Sequence, residues 1–125
     1  MKFQPDRHSI HSITGYGPGW INVVGPDKVT SSLILGANGL RLPWDCTRFE
    51  DLTAAHFAPL AELEAELILF GSGVRNRFVP PAWLQPLMAR RIGLETMDTQ
   101  AACRTYNILA GEGRNVVAAL LLETV

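Results

Sequence analysis

Two stretches of the sequence have features that can bind an anion. The first is Gly71-Ser72-Gly73, followed closely by Arg75 and Arg77, and the second is Asp98-Thr99, at the expected N-terminus of a helix. Glycine turns and helix N-termini present backbone amides to a negative charge, and guanidinium groups pair with carboxylate or phosphate. If both stretches leave a sheet at the same edge, they predict an anion-binding crevice there.

A simpler interpretation of the same residues stays open. Gly71 and Gly73 then only allow a tight exit from a strand, and Arg75 and Arg77 are surface charges. A dinucleotide-binding fingerprint would need a third glycine where the chain has Asn76, and no lysine-containing phosphate loop is present. We therefore do not expect a Rossmann-type enzyme.

Cys103 is the only plausible nucleophile in the sequence, with Arg104 next to it. Its expected place in the first half of a helix would lower a thiol pKa through the positive backbone dipoles. A nucleophile also needs a base, and His8, His11 and His56 all belong to other segments. We therefore favour a core cysteine, while Cys103 and Arg104 stay among the candidate ligand-binding residues.

The other metal-ligating residue types have ordinary explanations. His8 and His11 would face opposite sides of an extended segment, which makes them a poor metal pair. Cys46 and Cys103 have no second cysteine two or three positions away, which argues against a zinc knuckle or a thioredoxin-type redox pair. The sequence therefore predicts no catalytic residue, no metal site and no cofactor.

The elements that must position the candidate residues are those of an α/β protein. Leu67–Phe70 and Leu94–Met97 read as strands, the first of them buried on both faces. A helix over Thr99–Ala110 follows, capped by Asp98, and Val116–Leu122 reads as a long buried strand. Strand, helix and strand in this order make a crossover between parallel strands. Both candidate stretches then lie at one edge of a mixed sheet.

The rest of the chain predicts strands in the first third and short helices in the middle. Turn formers separate the apolar runs throughout this part of the chain. The predicted elements are a hairpin from Ile10–Thr14 and Trp20–Val24, a strand over Val29–Leu35, an irregular loop from Gly36 to Asp45 anchored by Trp44, a helix starting near Asp51 or Thr53 that Pro59 interrupts, and an amphipathic helix from Pro81 to Ile92.

Composition is typical of an ordinary soluble globular protein. The 125 residues suffice for a single domain over residues 1–125, and a net charge of −1 with 18% charged residues indicates no nucleic-acid partner. No apolar run approaches the ~20 residues of a membrane helix, and the N-terminus lacks the apolar segment of a signal peptide. We therefore expect a cytoplasmic protein without membrane insertion, whose cysteines are reduced.

More specific similarity is carried by four stretches: Leu67–Gly73, Arg75–Phe78, Glu95–Thr99 and Ala102–Leu109. Together they closely resemble the Mth938-like family, a domain of unknown function, and the resemblance extends from the N-terminal hairpin to Leu120. Within the first stretch the family often has threonine at the serine position, so a hydroxyl is kept. The resemblance implies a compact three-layer α/β domain with a mixed central sheet and an N-terminal β-hairpin.

The resemblance implies little about activity, since no catalytic residues are established for the family. A mitochondrial relative acts as an assembly factor for respiratory complex I through protein partners, and another animal relative is linked to adipocyte differentiation. We therefore favour a non-enzymatic binding or assembly protein with an unidentified protein partner, contacted through the crevice edge and the Arg75–Phe78 loop. Phe78 and Trp83 are nevertheless expected in the core.

The alternative is a small-molecule-binding protein or an enzyme that acts on an anionic metabolite. In that case Gly71, Ser72, Gly73, Asp98 and Thr99 would shape the site. Arg75 or Arg77 would clamp the charge, and Cys103 would be the nucleophile.

Overall fold

The first three strands form a small antiparallel sheet in the structure, a computed structural model that describes residues 12–123. They are β1 (Ile13–Gly17), β2 (Trp20–Val23) and β3 (Lys28–Val29). β1 and β2 make the predicted hairpin, which turns at Pro18 and Gly19; the proline ring restricts φ, and Gly19 has a φ of 73°. Ile10, His11 and His8 lie outside the described residues.

Five strands form the central sheet: β4 (Leu33–Gly36), β5 (Arg41–Pro43), β6 (Leu67–Gly71), β7 (Gly93–Met97) and β8 (Val116–Leu120). Their order in the sheet is β5-β4-β8-β6-β7. β6 is parallel to both β7 and β8, whereas β4 is antiparallel to β5 and β8. The predicted mixed α/β sheet is therefore confirmed, including the parallel pairing of the strands that precede the two candidate stretches.

Two predictions for the first third of the chain need correction. The strand predicted over Val29–Leu35 is two strands in different sheets, since the chain crosses from β3 to β4 between them. Ser32 anchors the crossing, because its hydroxyl accepts the Leu122 N–H at 2.8 Å and its carbonyl accepts the Trp44 N–H at 3.1 Å. The region predicted as an irregular loop contains β5, which pairs with β4.

Three α-helices lie within residues 12–123: α1 (Ala54–Phe57), α2 (Gln85–Ala89) and α3 (Thr99–Gly111). α3 agrees with its prediction and is capped by Asp98, whose carboxylate accepts the Ala101 N–H at 2.9 Å. A 3₁₀ turn over Ala58–Leu63 follows α1, in line with the predicted interruption at Pro59. In this part of the chain, no helix combines the length and apolar character that crossing a membrane requires.

The amphipathic helix predicted from Pro81 to Ile92 is broken. A 3₁₀ turn over Pro81–Leu84 is followed by the short helix α2. Pro86 causes the break, because it has no amide hydrogen for a continuous helix and its ring crowds the preceding turn. Arg91 then adopts a φ of 58°, and the chain enters β7 through the buried Ile92.

Apolar side chains cover the central sheet on both faces. Alternate residues of β6 point to opposite sides: Ile68 and Phe70 pack on one face, and Leu69 packs on the other. The first face is covered by the segments between β5 and β7, including Trp44, which anchors its loop as predicted. α3 and the N-terminal sheet cover the second face, so the protein has three layers.

Candidate functional site

The two candidate stretches meet at one edge of the central sheet. Gly73, which follows β6, accepts the Thr99 N–H at 2.9 Å through its carbonyl and donates its own N–H to Thr99 Oγ1 at 2.8 Å. Thr99 Oγ1 in turn donates to the carbonyl of Leu121, just after β8, at 2.7 Å. A single buried hydroxyl therefore joins the ends of β6 and β8 to the start of α3.

Glycine suits this edge for two different reasons. A Cβ atom on Gly71 would lie 3.0 Å from the Thr99 Cα and 3.1 Å from the Leu120 side chain, closer than ordinary van der Waals contact, so these neighbours would have to shift. Gly73 has a φ of 103°, and a Cβ atom there would collide with the Glu123 and Arg77 side chains. Both glycines thus serve the tight strand exit that the simpler interpretation described.

A crevice of 360 Å³ opens at the same edge. The turn between β1 and β2, the chain after β6, the first turn of α3 and the chain after β8 form its walls. The charged side chains that line it, within the described chain, are those of Asp98 and Glu123. Asp98 brings a negative charge to this lining, whereas the charge of Glu123 is paired with Arg77.

The guanidinium group of Arg77 is held by groups of the protein itself. Its Nη2 atom lies 2.5 Å from Glu123 Oε1 and donates to the Ser72 carbonyl at 2.8 Å. Its Nη1 atom lies 3.7 Å from the Glu50 carboxylate, and its central carbon lies 4.5 Å from the centre of the Phe49 ring. An external anion would have to compete with Glu123 for this charge.

Glu123 is a residue that the sequence analysis missed. Its carboxylate also accepts the N–H groups of Phe49 at 3.0 Å and Val74 at 3.3 Å. Burial raises the pKa of this carboxyl group, but the Phe49, Val74 and Arg77 donors outweigh burial and hold the pKa below its ordinary value. The only available signal was an acidic residue directly after a buried strand, which does not identify a partner 46 residues away.

The loop over residues 74–78, which we call the rim loop, is held in place by hydrogen bonds to Ser72. The Ser72 hydroxyl is buried, accepts the Arg77 N–H at 2.9 Å, and lies within donating distance of the carbonyls of Arg75 at 3.0 Å and Met97 at 3.2 Å. Together with the bond from Val74 to Glu123, these contacts hold the backbone of the rim loop at several points.

The side chains of the rim loop are exposed, except for that of Arg77. Val74 is 62% exposed and Phe78 is 71% exposed. The prediction that Phe78 lies in the core is therefore wrong, because the Ser72 and Arg77 contacts turn the loop outward before Val79 enters the core. Trp83 does pack against the core, partly buried beside Phe57. Arg75 is also exposed and makes no ion pair with any residue in the range 12–123.

Cys103 and Arg104 do not line the crevice. Cys103 is fully buried among the side chains between α3 and the sheet, as the core interpretation predicted. Burial raises the pKa of its thiol to about 12, which outweighs the opposite effect of Arg104. Arg104 is exposed, and its guanidinium donates to the Tyr16 hydroxyl at 3.3 Å. Cys103 and Arg104, two of the candidate ligand-binding residues, therefore lie outside the crevice.

His56, the histidine within residues 12–123, does not line the crevice. His56 belongs to the cap of α1, where its Nδ1 atom accepts the Thr53 N–H at 3.0 Å. Within residues 12–123, no group of three His, Cys, Asp or Glu side chains is arranged to hold a metal ion.

A family model described as "Protein of unknown function (DUF498/DUF598)" matches residues 13–121. The chain belongs to this family. The match includes every strand of the central sheet, α3 and the rim loop, whereas Leu122 and Glu123 of the crevice lining lie just beyond it.

Relatives of this DUF498/DUF598 chain include bacterial and animal proteins. An uncharacterized protein of Rhodobacter capsulatus is 38% identical over 109 residues, which is 87% of this chain and 82% of that protein. The Bos taurus protein NADH dehydrogenase (ubiquinone) 1 alpha subcomplex assembly factor 3 is 35% identical over 80 residues, 62% of this chain and 44% of that protein. The chain therefore spans less than half the length of this animal relative.

Solved structures of similar chains confirm the fold. A crystal structure of a Bordetella parapertussis protein has a TM-score of 0.82 and 39% identity, covering 90% of this chain and 96% of that one. A solution NMR structure of a Bordetella pertussis protein, described as a Mth938-like domain, has a TM-score of 0.77 and 35% identity over 98% and 93% of the two chains. The resemblance to the Mth938-like family is thereby confirmed.

Proposed function

We propose that this protein is a non-enzymatic binding or assembly protein that acts through protein partners, with the rim loop and the adjoining crevice edge as its contact surface. The observation that carries the proposal is the exposure of Val74 and Phe78 on a loop whose backbone is held by hydrogen bonds to Ser72 and Glu123. Exposed apolar side chains grouped on one loop are a feature of interaction sites. A loop that is already ordered also loses little conformational entropy when it binds.

The relatives support the same proposal. Several animal members are named as assembly factors of the NADH dehydrogenase alpha subcomplex, which is a role exercised on other proteins. We extend the proposal to the assembly of a respiratory complex by analogy with these relatives. The cytoplasmic location stays a prediction from the sequence.

An anionic metabolite in the crevice is the alternative, and it has less support. Asp98 and Glu123 line the crevice, and the charge of Arg77 is engaged by Glu123. Thermal unfolding with a panel of phosphate and carboxylate compounds tests this alternative, since a ligand at about a hundred times its Kd stabilises the fold by about 2.7 kcal/mol. A shift that is lost in Arg75→Ala/Arg77→Ala would favour the metabolite; the absence of any shift would favour a protein partner.

Affinity capture from an extract of the source cells, followed by quantitative mass spectrometry, tests the proposed contact surface. The Val74→Asp/Phe78→Asp variant introduces charge into the rim loop and is expected to reduce partner recovery about tenfold or more. Met88→Asp/Ile108→Asp is the matched control, because these side chains are 60% and 61% exposed but lie elsewhere on the surface. Equal recovery with the rim-loop variant and wild type, or equal loss in the control, would refute the proposal.

A further inference from the structure

The strand β7 forms an edge of the central sheet with unpaired backbone groups. Gly93 donates its N–H to the Glu66 carbonyl and Met97 accepts the Ser72 N–H, so the odd-numbered residues of β7 face β6. Successive residues of a strand direct their backbone groups to opposite sides, so Leu94 and Thr96 direct theirs away from the sheet. Within residues 12–123, no strand or side chain pairs with these outward N–H and C=O groups.

The two edges of the sheet differ in how they are protected. β5, at the opposite edge, has three residues and ends in Pro43. Short length, proline, charged side chains and β-bulges are common ways to prevent another chain from pairing with an edge. Each edge strand carries one charged residue, Arg41 in β5 and Glu95 in β7, but β7 has five residues in regular register with β6 and no proline. Among the described strands of the sheet, β7 therefore presents the more receptive edge.

The charge of Glu95 distinguishes two strands that could pair with β7: the β7 of a second copy of this chain, and a strand of another protein. It is exposed, is the charged residue of β7, and makes no ion pair with another described residue. Consider a second copy whose β7 pairs antiparallel with this one and uses the N–H and C=O groups of both Leu94 and Thr96. Leu94 of one copy would then lie opposite Thr96 of the other. Glu95 would then lie directly opposite another Glu95, and like charges in that position are destabilising. A foreign strand with a cation there replaces this repulsion by attraction.

We propose that β7 binds an extended segment of a partner protein as an added antiparallel strand, with a lysine or arginine opposite Glu95. Leu94 and Thr96 would exchange backbone hydrogen bonds with the segment. Glu95 would sit in the non-hydrogen-bonded pair between them, where facing Cα atoms are about 4.5 Å apart and side chains meet closely. The cation then sets the register. This strand site uses the outward backbone groups of Leu94 and Thr96, which the rim-loop variants leave unchanged, so the two proposals can fail independently.

Hydrogen exchange measured by NMR tests whether the edge is open. In the dilute protein, the amides of Leu94 and Thr96 should exchange about tenfold or more faster than those of Glu95 and Met97, which bond to β6. Equal protection of all four amides would show that the edge is already covered and would overturn the proposal. Protection that appears with rising protein concentration, together with a doubled molar mass, would identify a second copy as the occupant and also overturn it.

A display library of random extended segments of about seven residues tests the partner chemistry. Segments selected on the wild type should carry lysine or arginine at one shared position, and the Glu95→Lys variant should select aspartate or glutamate there. The selected segments should also slow the exchange of the Leu94 and Thr96 amides. A charge preference that Glu95→Lys leaves unchanged, or a library without enriched segments, would overturn the proposal.

A pair of variants at position 96 tests the role of the backbone. Thr96→Pro removes an outward amide hydrogen without removing a bond to β6, and it should reduce binding of the selected segments about tenfold or more. Thr96→Val keeps the amide and should bind like wild type. Equal binding by the two variants would overturn the proposal, and if Thr96→Pro does not fold, the charge reversal at Glu95 decides alone.

Discussion

The carboxylate of Glu123 and the guanidinium of Arg77 are both largely buried, with 13% and 15% of their side chains exposed. In such surroundings charges are screened less than in water, and removal of one partner leaves the other desolvated and unpaired. The same pair holds the rim loop, because Glu123 accepts the Val74 N–H and Arg77 donates to the Ser72 carbonyl. The order of the proposed contact surface thus depends on a residue after the last strand.

We expect Glu123→Ala to lower the free energy of unfolding by about 2–3 kcal/mol, less than the ~3–5 kcal/mol of a fully buried pair, because this one lies near the surface. Urea unfolding measures the loss. The control is Glu62→Ala, which removes an exposed 3.0 Å pair with Arg90 and should cost less than about 1 kcal/mol. Equal losses in the two variants would contradict the assigned role of Glu123.

The pH dependence of the same variant has a defined sign. The pKa of Glu123 is lowered in the folded state, so its stabilising effect is present above the ordinary carboxyl pKa of 4.5 and is lost as the pH falls through the folded value. The difference between wild type and Glu123→Ala should therefore shrink in acid.

At the scale of the elements, the Thr99 hydroxyl connects β6, α3 and β8. It accepts from the amide of Gly73 and donates to the carbonyl of Leu121, and all three residues are buried. A buried backbone group that loses its partner destabilises the fold by about 1–3 kcal/mol. The relative position of the three elements at the crevice therefore depends on this side chain.

We expect Thr99→Val to destabilise the protein by about 2–3 kcal/mol, because it has nearly the same shape but leaves both backbone groups unpaired. Thr99→Ser keeps the hydroxyl and should lose only a methyl group, about 1 kcal/mol. Urea unfolding of the two variants measures the difference, and faster hydrogen exchange at the Gly73 amide in the valine variant locates it. A valine variant as stable as the serine variant would contradict this role.

At the scale of the whole molecule, the cores on the two faces of the central sheet contain buried groups that are protonated at neutral pH. Burial raises the pKa of Cys46 to about 11, of Cys103 to about 12 and of Tyr106 to about 12. The unfolded chain releases these protons near 9.0 for cysteine and 10.0 for tyrosine. Their contribution to stability is complete below those values and declines as the pH rises through the interval to the folded values.

We therefore expect the free energy of unfolding to fall above about pH 9, by up to about 1.4 kcal/mol per pH unit for each such group. Urea unfolding at a series of pH values from neutral to alkaline measures the slope. Cys103→Ala should be less stable at neutral pH, because it leaves a small cavity, but it should show a shallower alkaline slope. An unchanged slope in this variant would show that the Cys103 thiol does not contribute.

The candidate site could be predicted only in part from the sequence. The meeting of Gly71–Gly73 with Asp98-Thr99 followed from two parallel strands, since parallel strands end at the same edge of a sheet. The engagement of Arg77 by Glu123 did not follow, because no local pattern relates residues 46 positions apart. The exposure of Phe78 was missed for the same reason: the Ser72 contacts that turn the rim loop outward exist only in the folded chain.

The sequence by itself determined the elements whose signals are local. The apolar runs of β6 and β8, the capped helix α3 and the hairpin at Gly19 follow from side-chain periodicity and backbone preferences, which act over a few residues. Tertiary structure alone decided that the 29–35 segment divides between two sheets, that β7 lies at an edge, and that the Glu123 carboxylate meets Arg77. These features depend on contacts between residues that are far apart in the sequence. Which of those contacts form is decided by the free energy of the complete fold, so no local pattern reveals them.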